Sequence, residues 1–143
     1  MRISTKGRYG LAVMLCIAEK KDESQTVALI SKKIGASKIY LEQVFGLLKN
    51  ARLLQSSKGA QGGYFLTDKP DKITVYDILY ATETTLFETT EKSFSGETGY
   101  LETTVNQFVW QPLNQSIAES LKSVTLSDLL DKSRKTAGYM FHI

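Results

Sequence analysis

The segment from Lys38 to about Ala51 carries side chains that can hydrogen bond to the edges of base pairs. At roughly 100° per residue, its apolar residues fall on one stripe with the spacing of an amphipathic helix: Leu41, Val44, Phe45, Leu48 and Ala51. The opposite face carries six residues: Ile39, Glu42, Gln43, Gly46, Lys49 and Asn50. A glutamate can accept a hydrogen bond from a cytosine amine, a glutamine can pair with adenine, and an isoleucine can contact a thymine methyl group.

The exposed face of this helix has two interpretations. Charged and amide side chains opposite an apolar stripe are typical of any solvated helix. Gly46, however, lowers helix stability by about 1 kcal/mol relative to alanine, which is tolerable where the helix must come close to another surface. Lys38 and Lys49 lie to the side of the face, where they would meet phosphates rather than bases.

Residues that could support catalysis or bind a metal are scarce. Cys16 is the only cysteine and His142 the only histidine, so neither a catalytic triad nor a His/Cys zinc site can be assembled within one chain. Only carboxylate chemistry is left, and no carboxylate pair accompanies a recognisable pocket motif. We therefore expect no enzyme and no metal site. Cys16 lies in an apolar helix, where a thiol is typically buried and unreactive.

Charge is distributed unevenly along the chain, although its net value is only +3. Residues 1–67 contain 11 Lys/Arg and 4 Asp/Glu, a net of +7, whereas residues 68–143 contain 7 Lys/Arg and 11 Asp/Glu, a net of −4. The basic first half predicts contact with a polyanion, although solvated surface charge would explain the same numbers. The longest apolar run is too short to span a membrane, and a lone cysteine fits a reducing cytoplasm.

Three helices and a hairpin must position the candidate recognition face. Apolar periodicity predicts the helices over residues 7–19, 28–34 and 38–51. Gly35 ends the second helix and Ser37 is the expected N-cap of the third. Two short strands follow at residues 53–56 and 64–67, joined by a loop with three glycines. This order is typical of a winged helix-turn-helix, and the expected fold is α+β, mainly α.

Capping-box spacing predicts two later helices, one opening at Thr74 with Asp77 and the other at Thr125 with Asp128. The first should end near residue 83 and the last near residue 134. The apolar end of the chain is expected to dock against another surface. We expect three units: a DNA-binding domain over residues 1–83, a flexible loop over 84–99, and a dimerisation helix with the C-terminal helix and tail over 100–143.

Residues 100–123 are predicted to form one long helix, in which Pro112 should cause a kink or mark where the regular part begins. Its apolar side chains offer more surface than one small head can cover. Such a patch usually marks a partner surface, and a two-fold homodimer is the default arrangement. The candidate dimerisation residues are Leu101, Val105, Phe108, Trp110, Leu113, Ile117 and Leu121.

Three segments resemble, in the same order, the bacterial Rrf2 family of transcriptional regulators. They are residues 1–10 (MRISTKGRYG), 40–43 (YLEQ) and 58–64 (KGAQGGY). The closing residues 138–143 are most similar to the branch of the family that represses cysteine metabolism. The resemblance implies a homodimer with two winged heads that binds a partly palindromic operator in double-stranded DNA as a repressor. For the branch just named, it also implies a partner enzyme such as cysteine synthase.

The resemblance also assigns roles to individual residues. Ser37, Ile39 and Glu42 fall where the family reads the major groove, and Lys58 with its neighbours falls where the wing enters the minor groove. The family often has a serine where Ile39 stands, so the operator preference is expected to differ. The candidate DNA-binding residues are Lys6, Arg8, Ser37, Lys38, Ile39, Tyr40, Glu42, Gln43, Lys49, Lys58, Gly59 and Gln61.

Iron–sulfur members of the family carry three cysteines in the loop before the long helix, whereas residues 84–99 contain none. Thiolates are the usual cluster ligands, and the carboxylates of this loop suit neither a cluster nor zinc: Glu88, Glu91 and Glu97. We therefore expect no cofactor. Two alternatives stay open, a winged-helix adaptor that binds protein and a regulator that senses thiol oxidants through Cys16.

Overall fold

A computed structural model describes residues 2–20, 22–59, 62–88 and 96–141 of the chain. Its helices are Thr5–Glu19 (α1), Val27–Ile34 (α2), Lys38–Asn50 (α3), Val75–Thr82 (α4), Gly99–Val105 (α5), Gln111–Lys122 (α6) and Leu126–Phe141 (α7). The strands are Leu54–Ser56 (β1) and Tyr64–Leu66 (β2), a 3-10 turn covers Pro70–Lys72, and a π-helical turn covers Asn106–Trp110. The expected fold, mainly helical with a small winged hairpin, is confirmed.

Short-range hydrogen bonds set the points where the helices begin. The Ser37 hydroxyl accepts a hydrogen bond of 3.2 Å from the Tyr40 N–H and so caps α3. At α4 the capping box is complete, because the Thr74 N–H donates to the Asp77 carboxylate at 2.9 Å and the Asp77 N–H donates to the Thr74 hydroxyl at 3.1 Å. The same pair of bonds joins Thr125 and Asp128. All three N-caps are where the sequence predicts them.

The wing is a two-stranded antiparallel hairpin in which Leu54 lies opposite Leu66. Gln25, just before α2, joins it through two backbone hydrogen bonds to Tyr64, of 3.1 and 2.8 Å. Gly63 has a φ of 119° and packs so closely on Ser24 that an added Cβ would come within 2.8 Å of the Ser24 Cβ. The base of the wing is therefore fixed to the segment that leads into α2.

Helix α1 and the end of α4 approach each other through glycines. A Cβ on Gly10 would come within 2.8 Å of the Thr82 Cγ2, and one on Gly7 would collide with the Glu83 carboxylate. That carboxylate accepts hydrogen bonds of 2.9 Å from both the N–H and the hydroxyl of Ser4. We call α1 to α4 together with the wing the head. Its last helix, α4, is thus tied to the N-terminal segment.

One hydrophobic core joins the head to the C-terminal helix. Met14 of α1, Phe45 of α3, Ile78 of α4 and Leu126 of α7 are all fully buried in it. Backbone hydrogen bonds, from Val75 to Val124 and from Leu126 to Ile73, connect the starts of α4 and α7. Helix α7 therefore packs on the head, and the division of the chain at residues 83 and 99 stays a prediction.

Helix α7 is longer than predicted. The prediction that it ends near Arg134 is wrong, because the helix continues to Phe141. Gly138 weakens a helix without ending it, and proline is absent from the whole stretch. The described side chains of the apolar end do not dock on their own chain, since Tyr139 and Met140 are 73% and 68% exposed. His142 and Ile143 lie outside the described residues.

A π turn interrupts the long helix just before Pro112. The Gln111 N–H donates to the Asn106 carbonyl, five residues back instead of four. Pro112 has no N–H to donate, and its ring clashes with the carbonyl four residues back in a regular helix, which accounts for the wide turn at this point. Helix α6 begins at Gln111, so Pro112 stands where the regular part begins.

The predicted loop is described only at its two ends. The ring of Phe87, near its start, packs on Tyr76 and Tyr80 at centroid distances of 5.0 and 5.4 Å. Residues 89–95, with the candidate ligand Glu91, lie outside the described residues, so the flexibility of the loop stays a prediction. Among the helices of the described ranges, none combines the length and hydropathy needed to cross a membrane.

Candidate nucleic-acid interface

Helix α3 separates its two faces sharply. Four of the five predicted stripe residues are fully buried: Leu41, Val44, Phe45 and Leu48. The prediction that Ala51 belongs to the stripe is wrong, because the helix ends at Asn50 and Ala51 is exposed. The side chains predicted to contact bases or phosphates are exposed: Ser37, Lys38, Ile39, Glu42, Gln43 and Lys49. Ile39 is the large apolar side chain on this face, and because it is 75% exposed it contributes little to the packing of its own chain. In this position it is available to contact a thymine methyl group.

Two aromatic contacts fix the orientation of α3. Tyr40 is half-buried and packs edge-on against Tyr9 of α1, with ring centroids 5.4 Å apart. On the other side, Phe45 packs on Tyr64 of β2 at 4.8 Å. We therefore assign Tyr40, predicted as a DNA-binding residue, a positioning role in the described chain. The same contacts hold α3 and the wing at a fixed separation.

Gly46 lies on the exposed face, and a Cβ added there would have no heavy atom within 4 Å. Neither internal crowding nor an unusual backbone angle therefore requires glycine at this position. The absence of a side chain lowers helix stability by about 1 kcal/mol relative to alanine. What glycine provides is access, since the helix backbone can come close to an external surface.

The wing presents its basic residue outward. Lys58 is exposed beside Gly59, whose φ is 145°, and Gly62 has a φ of 66°, so these two glycines hold conformations that other residues rarely adopt. Ala60 and Gln61 lie outside the described residues. In the N-terminal part, Lys6 is half-buried and Arg8 is exposed, with the Arg8 guanidinium donating to the Thr5 hydroxyl at 3.2 Å.

Within the described residues, no acidic side chain neutralises the exposed lysines of this surface. Two ion pairs occur in the described part of the chain, Lys33 with Glu19 at 2.8 Å and Arg134 with Asp131 at 4.0 Å. Neither involves the exposed lysines of α3 or of the wing. These side chains therefore keep their charge available for phosphates, the electrostatic basis of binding to DNA.

Cys16 faces the core and not the candidate interface. It is 8% exposed, and burial raises the pKa of its thiol, with the nearby Lys33 ammonium acting in the opposite direction. A thiol with a raised pKa is protonated at neutral pH, whereas the thiolate is the reactive form. This geometry argues against the oxidant-sensing alternative.

The seven candidate dimerisation residues do not share one environment. Five are exposed by 39–71%: Leu101, Val105, Phe108, Trp110 and Leu113. Ile117 and Leu121 are half-buried, and Ile117 faces α4 within the same chain. The apolar surface open to a partner is therefore concentrated between residues 101 and 113.

Sequence reasoning missed the residues that hold the interface together. The bridge between Gln25 and Tyr64 and the contact between Tyr9 and Tyr40 join segments far apart in sequence, and neither has a local pattern. The only available signal for Gln25 was its position directly before Thr26, the residue whose hydroxyl caps α2. No sequence pattern indicated the hydrogen bonds from Ser4 to the Glu83 carboxylate.

Comparisons with known proteins agree with this geometry. The Rrf2 family model, described as an iron-dependent transcriptional regulator, matches residues 3–132. The chain is 37% identical over 147 residues to the HTH-type transcriptional regulator CymR of Bacillus subtilis, with all of both chains covered.

Two solved structures are similar to this chain over most of their length. The structure of CymR, the global cysteine regulator of B. subtilis, has a TM-score of 0.73 and 34% identity, covering 92% of this chain and 98% of that one. The structure of T. potens IscR has a TM-score of 0.74 and 34% identity, covering 99% and 96%. These relatives are regulators and not enzymes. The chain therefore belongs to the Rrf2 family of DNA-binding transcriptional regulators.

Proposed function

We propose that the protein is a homodimeric repressor that reads a partly palindromic operator with α3 and the wing of each subunit, and that it does so without an iron–sulfur cluster. The observation that carries this proposal is the pair of exposed surfaces on one chain. One is polar and basic and includes the exposed Ile39. The other, which we call the apolar row, consists of the exposed side chains of Leu101, Val105, Phe108, Trp110 and Leu113.

The roles of the surface residues follow from their chemistry. Ile39, Glu42 and Gln43 would contact base edges in the major groove. Exposed cations would contact phosphates and set the register of the head on the duplex: Arg8, Lys38, Lys49 and Lys58. Two heads related by a two-fold axis would require two inverted half-sites, because the symmetry of the operator mirrors that of the dimer. Repression follows where such an operator overlaps a promoter.

The described residues do not fit an iron–sulfur cluster, although the family description includes iron. The sequence holds one cysteine, and it is buried in α1. In the described ranges, no three His, Cys, Asp or Glu side chains come together as a metal site. Since clusters of this kind are held by thiolates, we propose that the protein responds to another signal.

The similarity to CymR supports a narrower target. That protein is named the global cysteine regulator of B. subtilis, so genes of sulfur amino acid metabolism are the first operators to test, and a cysteine synthase is the first partner protein. We place the protein in the cytoplasm, where it would meet bacterial DNA.

Selection from a pool of random duplexes tests the proposal directly. The expected product is an inverted repeat bound by a protein of twice the chain mass in sedimentation. Enrichment of a single half-site bound by a monomer would contradict it. Failure to retain any duplex, at low as well as at physiological salt, would favour the protein-binding adaptor.

Anaerobic purification tests the cofactor part separately. We expect a colourless protein, without stoichiometric iron and sulfide, that binds its operator without added metal. An absorption band in the visible range together with iron and sulfide would overturn this part. Loss of operator binding on oxidation, abolished in the Cys16→Ser variant, would restore the thiol-sensing alternative.

A further inference from the structure

Helix α4, the residues that follow it and the long helix line a half-open cavity of about 350 Å³, at the lower end of the range for small-molecule sites. One wall is a cluster of three aromatic rings: Tyr76, Tyr80 and Phe87. The other wall carries carboxamides of the long helix, among them Asn106, Gln111 and Asn114. We call this cavity the aromatic–amide pocket.

The π turn places the carboxamides on one face. In a regular α-helix, residues 106 and 111 are separated by five steps of about 100° and point in different directions. The bond from the Gln111 N–H to the Asn106 carbonyl closes a wider turn, which brings both side chains to the same wall. Asn114 follows one turn later in α6. π turns of this kind occur frequently at functional sites.

The pocket offers an open aromatic surface. Tyr76 is covered on one face by the Lys122 ammonium, 4.5 Å from its centroid. Tyr80, in contrast, is 62% exposed although it packs on Phe87 and Tyr76. An exposed ring beside carboxamides can stack on the face of a planar ligand while the amides bond to its edge.

The polar groups define the chemistry of that edge. Each carboxamide has a donor and an acceptor side by side, and such groups pair in bidentate fashion with the amine and ring nitrogen of adenine. Within the described part of the chain, Asn106, Gln111 and Asn114 make no side-chain hydrogen bond, so these groups are available. The described lining includes the Glu88 carboxylate but neither lysine nor arginine. The nearby Lys122 ammonium lies over the ring of Tyr76, so the lining itself offers no positive charge to a phosphate.

We propose that the aromatic–amide pocket binds a neutral adenine-type purine, as the free base or the nucleoside. The inference goes beyond the proposed function and does not depend on it, because the pocket lies between α4 and the long helix and not on the candidate DNA surface. A ligand that bridges these two elements would fix the head relative to the long helix and so shift the spacing of two heads.

Titration of the full chain with adenosine, without DNA and followed by ligand-observed NMR, tests the proposal. Adenosine should bind, and adenosine monophosphate should bind more weakly. Replacing Tyr80 by alanine should lower the affinity about tenfold or more, as expected for loss of a stacking platform. Tyr80→Phe keeps the ring and should bind like the unmodified protein.

Gln111→Ala should weaken binding, and Gln107→Ala is its matched control, since Gln107 is an exposed carboxamide in the same π turn that does not line the pocket. Circular dichroism confirms the fold of each variant. No adenosine binding at millimolar concentration, equal binding by the folded Tyr80→Ala variant, or tighter binding of the monophosphate would overturn the proposal. None of these outcomes bears on operator binding.

Discussion

The head and the long helix differ in how far they bury their apolar side chains. In the head, α1, α3 and α4 bury side chains such as Met14, Phe45 and Ile78 completely. On the long helix, Phe108 is 71% exposed, and its neighbours in the row between residues 101 and 113 are exposed as well. The head therefore completes its core within one chain, with the help of α7, whereas the long helix leaves apolar side chains exposed, as expected of a surface that meets a partner.

Phe108→Glu is expected to have the largest effect, because it breaks the apolar row at its most exposed member. A two-fold dimer would bury two carboxylates in one interface, and each buried charge costs several kcal/mol. We expect a monomer of 16.0 kDa in sedimentation at micromolar concentration, with operator binding reduced more than 100-fold. The head should remain folded, because the replaced ring is not part of its core.

Thr136→Glu is the matched control for this variant, since it adds the same charge at an exposed polar position of α7. It should remain dimeric. A Phe108→Glu protein that sediments as a dimer would show that the apolar row is not the interface.

Leu126→Ala tests whether α7 belongs to the head. Leu126 is fully buried, so its truncation should lower the free energy of unfolding by about 2–5 kcal/mol. Leu113→Ala removes the same atoms from a side chain that is 48% exposed and should have a much smaller effect. Urea unfolding, measured for both in the monomeric Phe108→Glu background, separates folding from dimerisation. An equal decrease in the free energy of unfolding for the two variants would mean that α7 contributes little to the core of the head.

Glu42→Ala and Lys58→Ala compare two parts of the head, the proposed base contacts of α3 and the proposed phosphate contacts of the wing. Removal of the Glu42 carboxylate should relax the preference at one base pair by about 1–3 kcal/mol, while Lys58→Ala should weaken binding to all duplexes and flatten its salt dependence. Selection experiments and salt titrations of both variants provide the measurement. An unchanged preferred sequence for Glu42→Ala would show that α3 is not the reading helix.

Gly46→Ala should move stability and binding in opposite directions. Because the added Cβ meets open space, the free energy of unfolding should rise by about 1 kcal/mol. Operator affinity should fall at the same time, since the methyl group would separate the helix from the groove. Urea unfolding and operator titration of one preparation test both effects. Undiminished affinity would indicate a solvated face.

The pH dependence of α7 should be the smallest effect. Hydrogen bonds from the backbone and the side chain of Thr125 lower the pKa of Asp128 below its ordinary value of 3.8. The carboxylate is therefore more stable in the folded than in the unfolded chain, so this contribution is present above about pH 4 and is lost as the pH falls through the lowered pKa. The stability difference between wild type and Asp128→Asn should narrow from pH 7 to pH 3. A constant difference would assign the effect to packing.

Local patterns predicted the parts of the fold that depend on neighbours in sequence. The apolar stripe of α3 and the N-caps at Ser37, Thr74 and Thr125 each involve residues three or four apart. All were found where predicted, except that Ala51 lies beyond the end of the helix. Contacts between distant segments left no such pattern. The backbone bridge between Gln25 and the wing and the hydrogen bond from Ser4 to Glu83 form only once the chain has folded.

The candidate site was predicted in part for the same reason. The exposed face of α3 follows from helical periodicity, so the location of Ile39 and Glu42 could be derived from the sequence. The positioning role of Tyr40 could not, because it depends on the ring of Tyr9 in another helix. The extension of α7 to Phe141 was also missed, since its exposed apolar residues have no counterpart within one chain.

The division of α3 into two sets of residues has a consequence for how such regulators diversify. Mutations at Ile39, Glu42 or Gln43 leave the buried stripe untouched, so under the proposed function they would change what the helix contacts with little effect on whether the chain folds. After a gene duplication, one copy can therefore drift toward new control regions while it retains its stability. A single scaffold of this type can in this way supply a bacterium with several independent regulatory circuits.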